Sequence, residues 1–152
     1  ETHGLPRYET SNHARPGAQS RHNLAYWLYH DYAGIGPGAH GRRSGLATVR
    51  HKKPENWLNA IGRNGHGCQA EDALSPAERA REAMVMGLRL AEGINLDAVA
   101  RRCGVERETI VCRKSAGQLE TLGLLRQDGH NLRVTPKGML LLDHILGQLV
   151  ET

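Results

Sequence analysis

The sequence predicts an α/β protein whose two halves differ in character. In the first half, two short strand-like stretches at residues 5–11 and 31–35 each lead into a polar or glycine-rich segment. In the second half, apolar residues at helical spacing and clear capping residues predict three helices, a β-hairpin and a final helix. That order of elements is typical of a winged-helix-like domain. Since two strands cannot form a stable sheet alone, we expect the first half to need strands from outside this chain.

Composition limits the class of protein. The chain has 152 residues, does not begin with Met, and contains neither a signal-peptide core nor an apolar run long enough to span a membrane, so we expect part of a larger cytoplasmic protein. The net charge of +4 permits anionic partners without requiring them. Cys68, Cys103 and Cys112 are odd in number and widely spaced, which favours a reducing compartment and predicts neither a disulfide framework nor a zinc site.

The first half carries a turn, an aromatic segment and a glycine-rich loop. Arg15-Pro16-Gly17 predicts a turn, and residues 23–29 predict a short helix or an irregular segment. The run GIGPGAH, from Gly34 to His40, has glycines at alternate positions, which allow a ligand or a neighbouring strand to approach the backbone closely. As a nucleotide motif it is weak, because Pro37 interrupts it and no clear helix follows.

The segment after this loop predicts a connector. It is basic at first, then contains a short helix around residues 55–61, which Gly62, Gly65 and Gly67 end. Two interpretations stay open for the basic residues: a solvated surface, or contacts to acidic groups of a ligand.

Helical signals become regular from residue 75. Ser75-Pro76-Ala77-Glu78 is a capping box that begins a helix extending to Gly93. Residues 96–103 predict a second helix closed by Gly104, and residues 106–122 a third. The residues expected to face the core are Ala80, Ala83, Met84, Leu88 and Ala91 in the first helix and Ile110, Leu119 and Leu122 in the third.

A hairpin and a last helix complete the predicted domain. Residues 124–126 and 132–134 are strand-like and flank the turn sequence Asp128-Gly129-His130-Asn131. Thr135-Pro136 then caps a helix to about residue 150. The apolar stripe expected for this helix is Leu140, Leu141, Ile145, Leu146 and Leu149.

One function that this pattern permits is nucleic-acid binding. Residues 96–110 have the form of a helix-turn-helix, in which Arg107, Arg113 and Lys114 could contact phosphates. Glu106 and Glu108 lie near the start of the reading helix, where they would face a polyanion. We therefore expect no specific nucleic-acid partner and keep a winged-helix nucleic-acid module as an alternative.

Five segments, in order and at fitting spacing, resemble a known family. They are YETSNHARPG, SRHNLAYW, GIGPGAHG, MGLRLAEGI and VTPKG. Together they are similar to the C-terminal part of the radical S-adenosylmethionine proteins of the oxygen-independent coproporphyrinogen III oxidase-like group, and most of all to its HemW-type heme chaperone branch. The pattern HNxxYW, at His22, Asn23, Tyr26 and Trp27, is the most specific element beside GIGPGAH. His13 departs from the family, which usually has an aromatic residue there.

The resemblance implies a division into domains. Residues 1–50 would be the last strands of an incomplete, partial TIM-like radical-SAM barrel, 51–74 a connector, and 75–152 the HemN-type, mostly helical C-terminal domain. The family's cysteine triplet, which holds a [4Fe-4S] cluster and leaves one iron for S-adenosylmethionine, is absent from this sequence. The resemblance thus implies both cofactors for the full-length protein only, and we expect this fragment to be inactive alone.

The resemblance also implies a heme site. His22 would be the iron ligand or an attachment point, Asn23 would hold that histidine or a propionate, and Tyr26 and Trp27 would pack on the macrocycle. Arg42, Arg43 or Arg50 could pair with propionates. The alternative makes His22 and Asn23 a loop-closing hydrogen-bonded pair and Trp27 part of the barrel floor.

A second implied site is the rim of the S-adenosylmethionine pocket. Ala39 and His40 would contact the cofactor through backbone and side chain respectively. The alternative is that Gly34, Gly36 and Gly38 serve only tight packing.

The function implied by the resemblance is heme binding and transfer to acceptor proteins, and a membrane-associated acceptor is compatible with it. The alternative within the family is the coproporphyrinogen III oxidase of porphyrin biosynthesis.

Overall fold

The computed structural model describes residues 4–150 and divides the chain into two compact units. One unit holds the described residues up to Tyr29 together with those from Pro76 onwards, and we call it the core unit. The other is His30–Ser75, which we call the sheet unit. Residues 51–74, predicted as a connector, belong to the sheet unit because β3 pairs with β2; the predicted domain division at residues 50 and 74 stays a prediction.

The elements follow one another in this order: α1 Arg21–Trp27, β1 His40–Arg43, β2 Leu46–Arg50, α2 Pro54–Asn64, β3 Cys68–Ala73, α3 Pro76–Gly87, β4 Ile94–Asn95, α4 Leu96–Cys103, α5 Arg113–Thr121, β5 Leu125–Asp128, β6 Asn131–Val134 and α6 Leu142–Val150. Two 3-10 turns, Arg107–Thr109 and Gly138–Leu141, precede α5 and α6. Within the described residues, no helix has both the length and the apolar character needed to cross a membrane.

The sheet unit is built on an antiparallel sheet in the order β1-β2-β3. Ser44 and Gly45 join the first two strands, and both have positive φ, at 50° and 81°, which is the geometry of a tight hairpin turn. After β2, α2 begins at Pro54 and ends at Gly65 in the left-handed conformation. The predicted short helix is confirmed, and it is longer than expected.

The core unit packs its helices around a second antiparallel sheet, in the order β4-β6-β5. The predicted hairpin is confirmed as β5 and β6, which turn through Gly129, and β4 adds a third strand that was not predicted. The side chains at the centre are fully buried, namely Met84, Leu88, Leu119, Leu125, Leu132, Ile145 and Leu149. This continuous apolar cluster is the main stabilising feature of the unit.

Neither predicted strand of the first half forms. The backbone amide of Tyr8 donates to the carbonyl of Asn12 at 3.1 Å, so residues 5–11 curl into a loop with isolated bridges instead of extending. The stretch 31–35 contributes one bridge, between Tyr32 and Arg42. The predicted turn at Arg15-Pro16-Gly17 is confirmed, with the amide of Ala18 donating to the carbonyl of Arg15 at 2.9 Å.

The predicted third helix is wrong at its start. A 3-10 turn leads to Cys112, whose ψ of 108° is extended, and regular helix begins only at α5. The β-branched run Thr109-Ile110-Val111 has low helix propensity, which explains the break. Ile110 is buried as expected, but Leu122 is 59% exposed because it caps the end of α5.

The last helix is also shorter than predicted. The Oγ1 of Thr135 accepts from the amide of Gly138, the first residue of the 3-10 turn, at 3.1 Å, and α6 follows that turn. Because a 3-10 turn has three residues per turn, the apolar stripe shifts in phase, so Met139 and Leu142 are buried while Leu140 and Leu141 are exposed. The remaining predicted positions of this stripe, Ile145, Leu146 and Leu149, are buried.

Helix α3 ends at Gly87, six residues before its predicted end at Gly93. Its last residue, Gly87, lies so close to Ile94 that an added Cβ would come within 2.0 Å of the Ile94 Cγ2 atom. The turn that follows reaches Gly93, whose φ of +73° reverses the chain into β4.

Candidate functional site

The short helix α1 is fixed at both ends. Ser20 precedes it, and its Oγ accepts from the amide of Asn23 at 3.3 Å. After the last turn the chain reverses at Tyr29, which has a positive φ of 58° and a buried ring. The Tyr29 hydroxyl donates to Glu82 of α3 at 2.9 Å. These contacts attach α1 to α3 within the core unit.

One face of α1 points into the protein. Asn23 and Trp27 are four residues apart, so they lie on the same side of the helix. The Asn23 amide donates to the Tyr8 hydroxyl at 3.4 Å, and the Arg89 guanidinium lies over the Trp27 ring at 5.7 Å. The Nε1 atom of Trp27 is buried and has no hydrogen-bond partner among the described residues. Both side chains therefore hold the helix in place.

The neighbouring face of α1 points outward and carries the other two residues of the pattern. His22 is exposed, and its ring meets the Tyr26 ring edge to face, with centroids 4.8 Å apart and planes at 82°. Within the described part of the chain, the His22 imidazole makes no hydrogen bond. Its nitrogens are therefore accessible, as metal coordination by imidazole requires. This donor fits a heme iron, and the adjacent aromatic ring fits the flank of a macrocycle.

The glycine-rich loop closes on itself in the sheet unit. Gly34 lies against the start of β1, where an added Cβ would come within 2.3 Å of the His40 carbonyl oxygen. The amide of Ala39 donates to the carbonyl of Gly36, at 3.3 Å, and its carbonyl accepts from the amide of Arg50, at 2.9 Å. The His40 side chain is exposed. The Ala39 backbone is thus engaged by the loop and by β2, while the exposed His40 side chain makes no hydrogen bond within the described residues.

The three arginines considered for propionates line one cleft of the sheet unit, with a volume of about 540 Å³. Arg43 pairs with Glu71 at 2.7 Å, and the hydrogen bond and charge of Arg43 hold the pKa of the Glu71 carboxyl below its ordinary value. The Nε of Arg50 donates to the carbonyl of Gly34 at 3.1 Å. His66 also lines this cleft and was missed, because it lies in the segment predicted as a connector.

The cysteines do not form a cluster-binding set. Cys103 is buried in the core unit, where desolvation raises the pKa of its thiol, while Cys68 lies on β3 of the sheet unit and Cys112 precedes α5. Among the described residues, no group of three or more His, Cys, Asp or Glu side chains could hold a metal ion. These residues therefore do not fit an iron–sulfur cluster.

The arginine that begins the predicted reading helix is engaged inside the core unit. Arg107 donates to the carbonyl of Gly129 at 2.8 Å and pairs with Asp97 at 3.3 Å. Its guanidinium thus ties the hairpin turn to the start of α4. Arg113 is exposed and pairs with Glu108 at 3.3 Å.

Comparisons with known proteins find HemN-like and HemW-like relatives. Residues 74–141 match the model of the HemN C-terminal domain. A Danio rerio protein named radical S-adenosyl methionine domain-containing protein 1, mitochondrial, is 35% identical over 96% of this chain and 35% of its own length. The heme chaperone HemW of Bacillus subtilis is 30% identical over 97% of this chain and 38% of its own length.

A solved structure shares the fold. The Escherichia coli coproporphyrinogen III oxidase HemN, described as a radical SAM enzyme, superposes with a TM-score of 0.68 at 17% identity, over 95% of this chain and 37% of that chain. This chain spans about a third of the length of the relatives that it matches. Its residues 74–141 match a HemN C-terminal domain, and the chain as a whole is similar to part of proteins named heme chaperone HemW and radical S-adenosyl methionine domain-containing protein 1.

Proposed function

We propose that this protein binds heme through the outward face of α1, with His22 as an axial ligand of the iron, and passes the heme to acceptor proteins. The observation that carries this proposal is the exposed His22 imidazole, which makes no hydrogen bond within the described chain and stands beside the Tyr26 ring. The names of the relatives support it, since several are called heme chaperones at about 30% identity or more.

The four residues of the HNxxYW pattern then have two roles, contact with the heme and orientation of the helix. His22 would hold the heme iron through a ring nitrogen, since imidazole is an ordinary protein ligand of heme iron. Tyr26 would pack beside the macrocycle. Asn23 and Trp27 act from inside, because their contacts to Tyr8 and Arg89 fix the orientation of the helix. An exposed ligand on a short surface helix suits transfer, since an acceptor can reach the bound heme.

The remaining family features are proposals for the longer protein. Residues 1–50 would complete a radical-SAM barrel, with Ala39 and His40 at the rim of its S-adenosylmethionine pocket, and residues 75–152 would form a winged-helix-like module. The tight loop from Gly34 to His40 supports a rim position equally well as a packing role. A cytoplasmic location also stays a prediction, because some relatives carry the word mitochondrial in their names.

The two alternatives have less support. For porphyrinogen oxidation, the likeness to the HemN structure, at 17% identity, concerns the fold alone. For nucleic-acid binding, Arg107 is already engaged by Asp97 and the Gly129 carbonyl, so it offers little to a phosphate. Arg113 is paired with the Glu108 carboxylate, whose negative charge would face a phosphate.

Titration of the protein with ferric heme tests the proposal. We expect a Soret shift on binding, and His22→Ala should weaken the affinity about tenfold or more, because the loss of an axial ligand removes at least about 1.4 kcal/mol. His30→Ala is the matched control, since His30 is also exposed, and it should titrate like the parent protein. Identical titrations for both variants would exclude His22 as the ligand.

A further inference from the structure

We propose that the cleft on one face of the β1-β2-β3 sheet binds a carboxylate group, with Arg50 and His66 as its donors. This cleft, which we call the arginine cleft, is lined by Gly34, Arg43, Thr48, Arg50, His66 and Glu71, among others. Its lining residues all belong to the sheet unit, whereas α1 belongs to the core unit. The carboxylate can come from a porphyrin side chain, in which case the inference extends the proposed function, or from an amino-acid ligand.

The strand register brings these side chains to one face of the sheet. Gly41 on β1 pairs with Thr48 on β2, and Thr48 pairs in turn with Glu71 on β3. Directly paired residues of antiparallel strands share a face, and alternate residues on each strand do too. Arg43 and Arg50, two positions from Gly41 and Thr48, therefore flank a floor formed by the buried Thr48.

The space beside Thr48 stays open because its partner on β1, Gly41, has no side chain. A Cβ at Gly41 would come within 2.6 Å of the Thr48 Oγ1 atom and 2.8 Å of the Gly34 amide nitrogen. A side chain at this position would therefore displace the 31–34 segment that forms one wall. The space kept open, about 540 Å³, is in the range of small-molecule clefts.

The two carboxylates of the cleft are already satisfied. Glu71 pairs with Arg43 at 2.7 Å, and Asp31 accepts from the amide of Ser44 at 2.8 Å. The Arg43–Glu71 pair is electrically neutral. Arg50 forms no ion pair among the described residues, so its positive charge suits a monoanion in the arginine cleft.

Two donors remain for a ligand. Arg50 is one of the residues that line the cleft; its Nε is held by the Gly34 carbonyl, while its two terminal nitrogens make no hydrogen bond within the described residues. The Nδ1 of His66 accepts from the amide of Cys68 at 3.3 Å, so a neutral imidazole carries its proton on Nε2. A guanidinium oriented by one bond and offering its fork is the arrangement that recognises carboxylates.

Binding of metal-free mesoporphyrin IX, followed by its fluorescence anisotropy, tests this inference. Because that porphyrin has no iron, the result does not depend on ligation by His22. We expect Arg50→Gln to weaken binding about tenfold and His66→Ala about threefold, while mesoporphyrin dimethyl ester, which lacks free carboxylates, should bind weakly and alike to all variants. The matched control is Arg63→Gln, an exposed arginine on α2 outside the cleft.

Binding measurements with two different ligands distinguish the two possible sources of the carboxylate. Calorimetry with S-adenosylmethionine in place of the porphyrin should show no Arg50 dependence if the source is a porphyrin side chain. Arg50-dependent binding of S-adenosylmethionine alone would support the carboxylate site and assign it to an amino-acid ligand. If neither Arg50→Gln nor His66→Ala changes the affinity for either ligand while circular dichroism shows both variants folded, the inference is overturned.

Discussion

Replacing Gly93 with alanine should lower the free energy of unfolding by about 2–5 kcal/mol, measured by urea denaturation. Gly93 has a φ of +73°, which alanine adopts only with strain, and an added Cβ would come within 2.1 Å of the Leu132 carbonyl oxygen. The neighbouring Cα of Arg133 would be 2.7 Å away. Since these are backbone atoms of β6, relief requires moving the central strand of the core-unit sheet.

Gly104 provides the matched control for this substitution. It has the same φ of +73°, as the residue that ends α4, but an added Cβ would meet nothing within 4 Å. Gly104→Ala should therefore cost only the conformational term, about 1–2 kcal/mol. Equal losses at Gly93 and Gly104 would show that the close approach to β6 contributes nothing.

The second large effect is expected at Glu9, the most deeply buried carboxyl side chain described. It is fully buried, and its carboxylate accepts from the amide of Ser11 at 3.0 Å and from the side-chain amide of Asn12. Glu9 also pairs with Leu90 through the backbone. Glu9→Ala leaves the two donors without their acceptor and should lower the free energy of unfolding by about 2–3 kcal/mol.

Two further substitutions control this prediction. Glu9→Gln keeps one carbonyl acceptor at nearly the same volume, so its loss should be smaller than that of Glu9→Ala. Glu92→Ala removes an exposed carboxylate nearby in the chain and should change the stability by less than about 0.5 kcal/mol. A loss at Glu92 as large as that at Glu9 would contradict the structural role of the buried carboxyl group.

The second half of the fold could be predicted because its signals are local. Ser75-Pro76, Gly104 and Gly129 each require a particular backbone conformation, and the expected helix start, helix end and hairpin turn occur at these positions. The core positions of regular helix, such as Met84 and Leu119, also follow from periodicity alone.

The errors arose where tertiary contacts determine the structure. β4 is only two residues long and exists because Ile94 pairs with Leu132 of β6, a contact that no local pattern records. β3 reads CQAEDA, which is too polar and acidic to suggest a strand, and it is mostly exposed in the structure. The 3-10 turns shifted the phase of the apolar stripes and thereby exposed Leu140 and Leu141.

The candidate site residues were predicted from the family resemblance, and the structure shows which face of its helix each of them lies on. Once α1 is known to be helical, the spacing of HNxxYW places His22 with Tyr26 on one face and Asn23 with Trp27 on the next. That division was available from the sequence, but a seven-residue helix is too short for a firm prediction. The arginine cleft could not be predicted from the sequence, because His66 and Glu71 reach it only through the pairing of β3 with β2.

The most direct test of the proposed heme ligand is chemical rescue of the His22→Ala variant. Electron paramagnetic resonance of the ferric heme complex should show axial imidazole ligation in the parent protein and its loss in His22→Ala. Added imidazole should then restore the spectrum and the affinity, because a free imidazole can take the place of the missing side chain. An imidazole-ligated spectrum that survives in His22→Ala without added imidazole would contradict the assignment of His22.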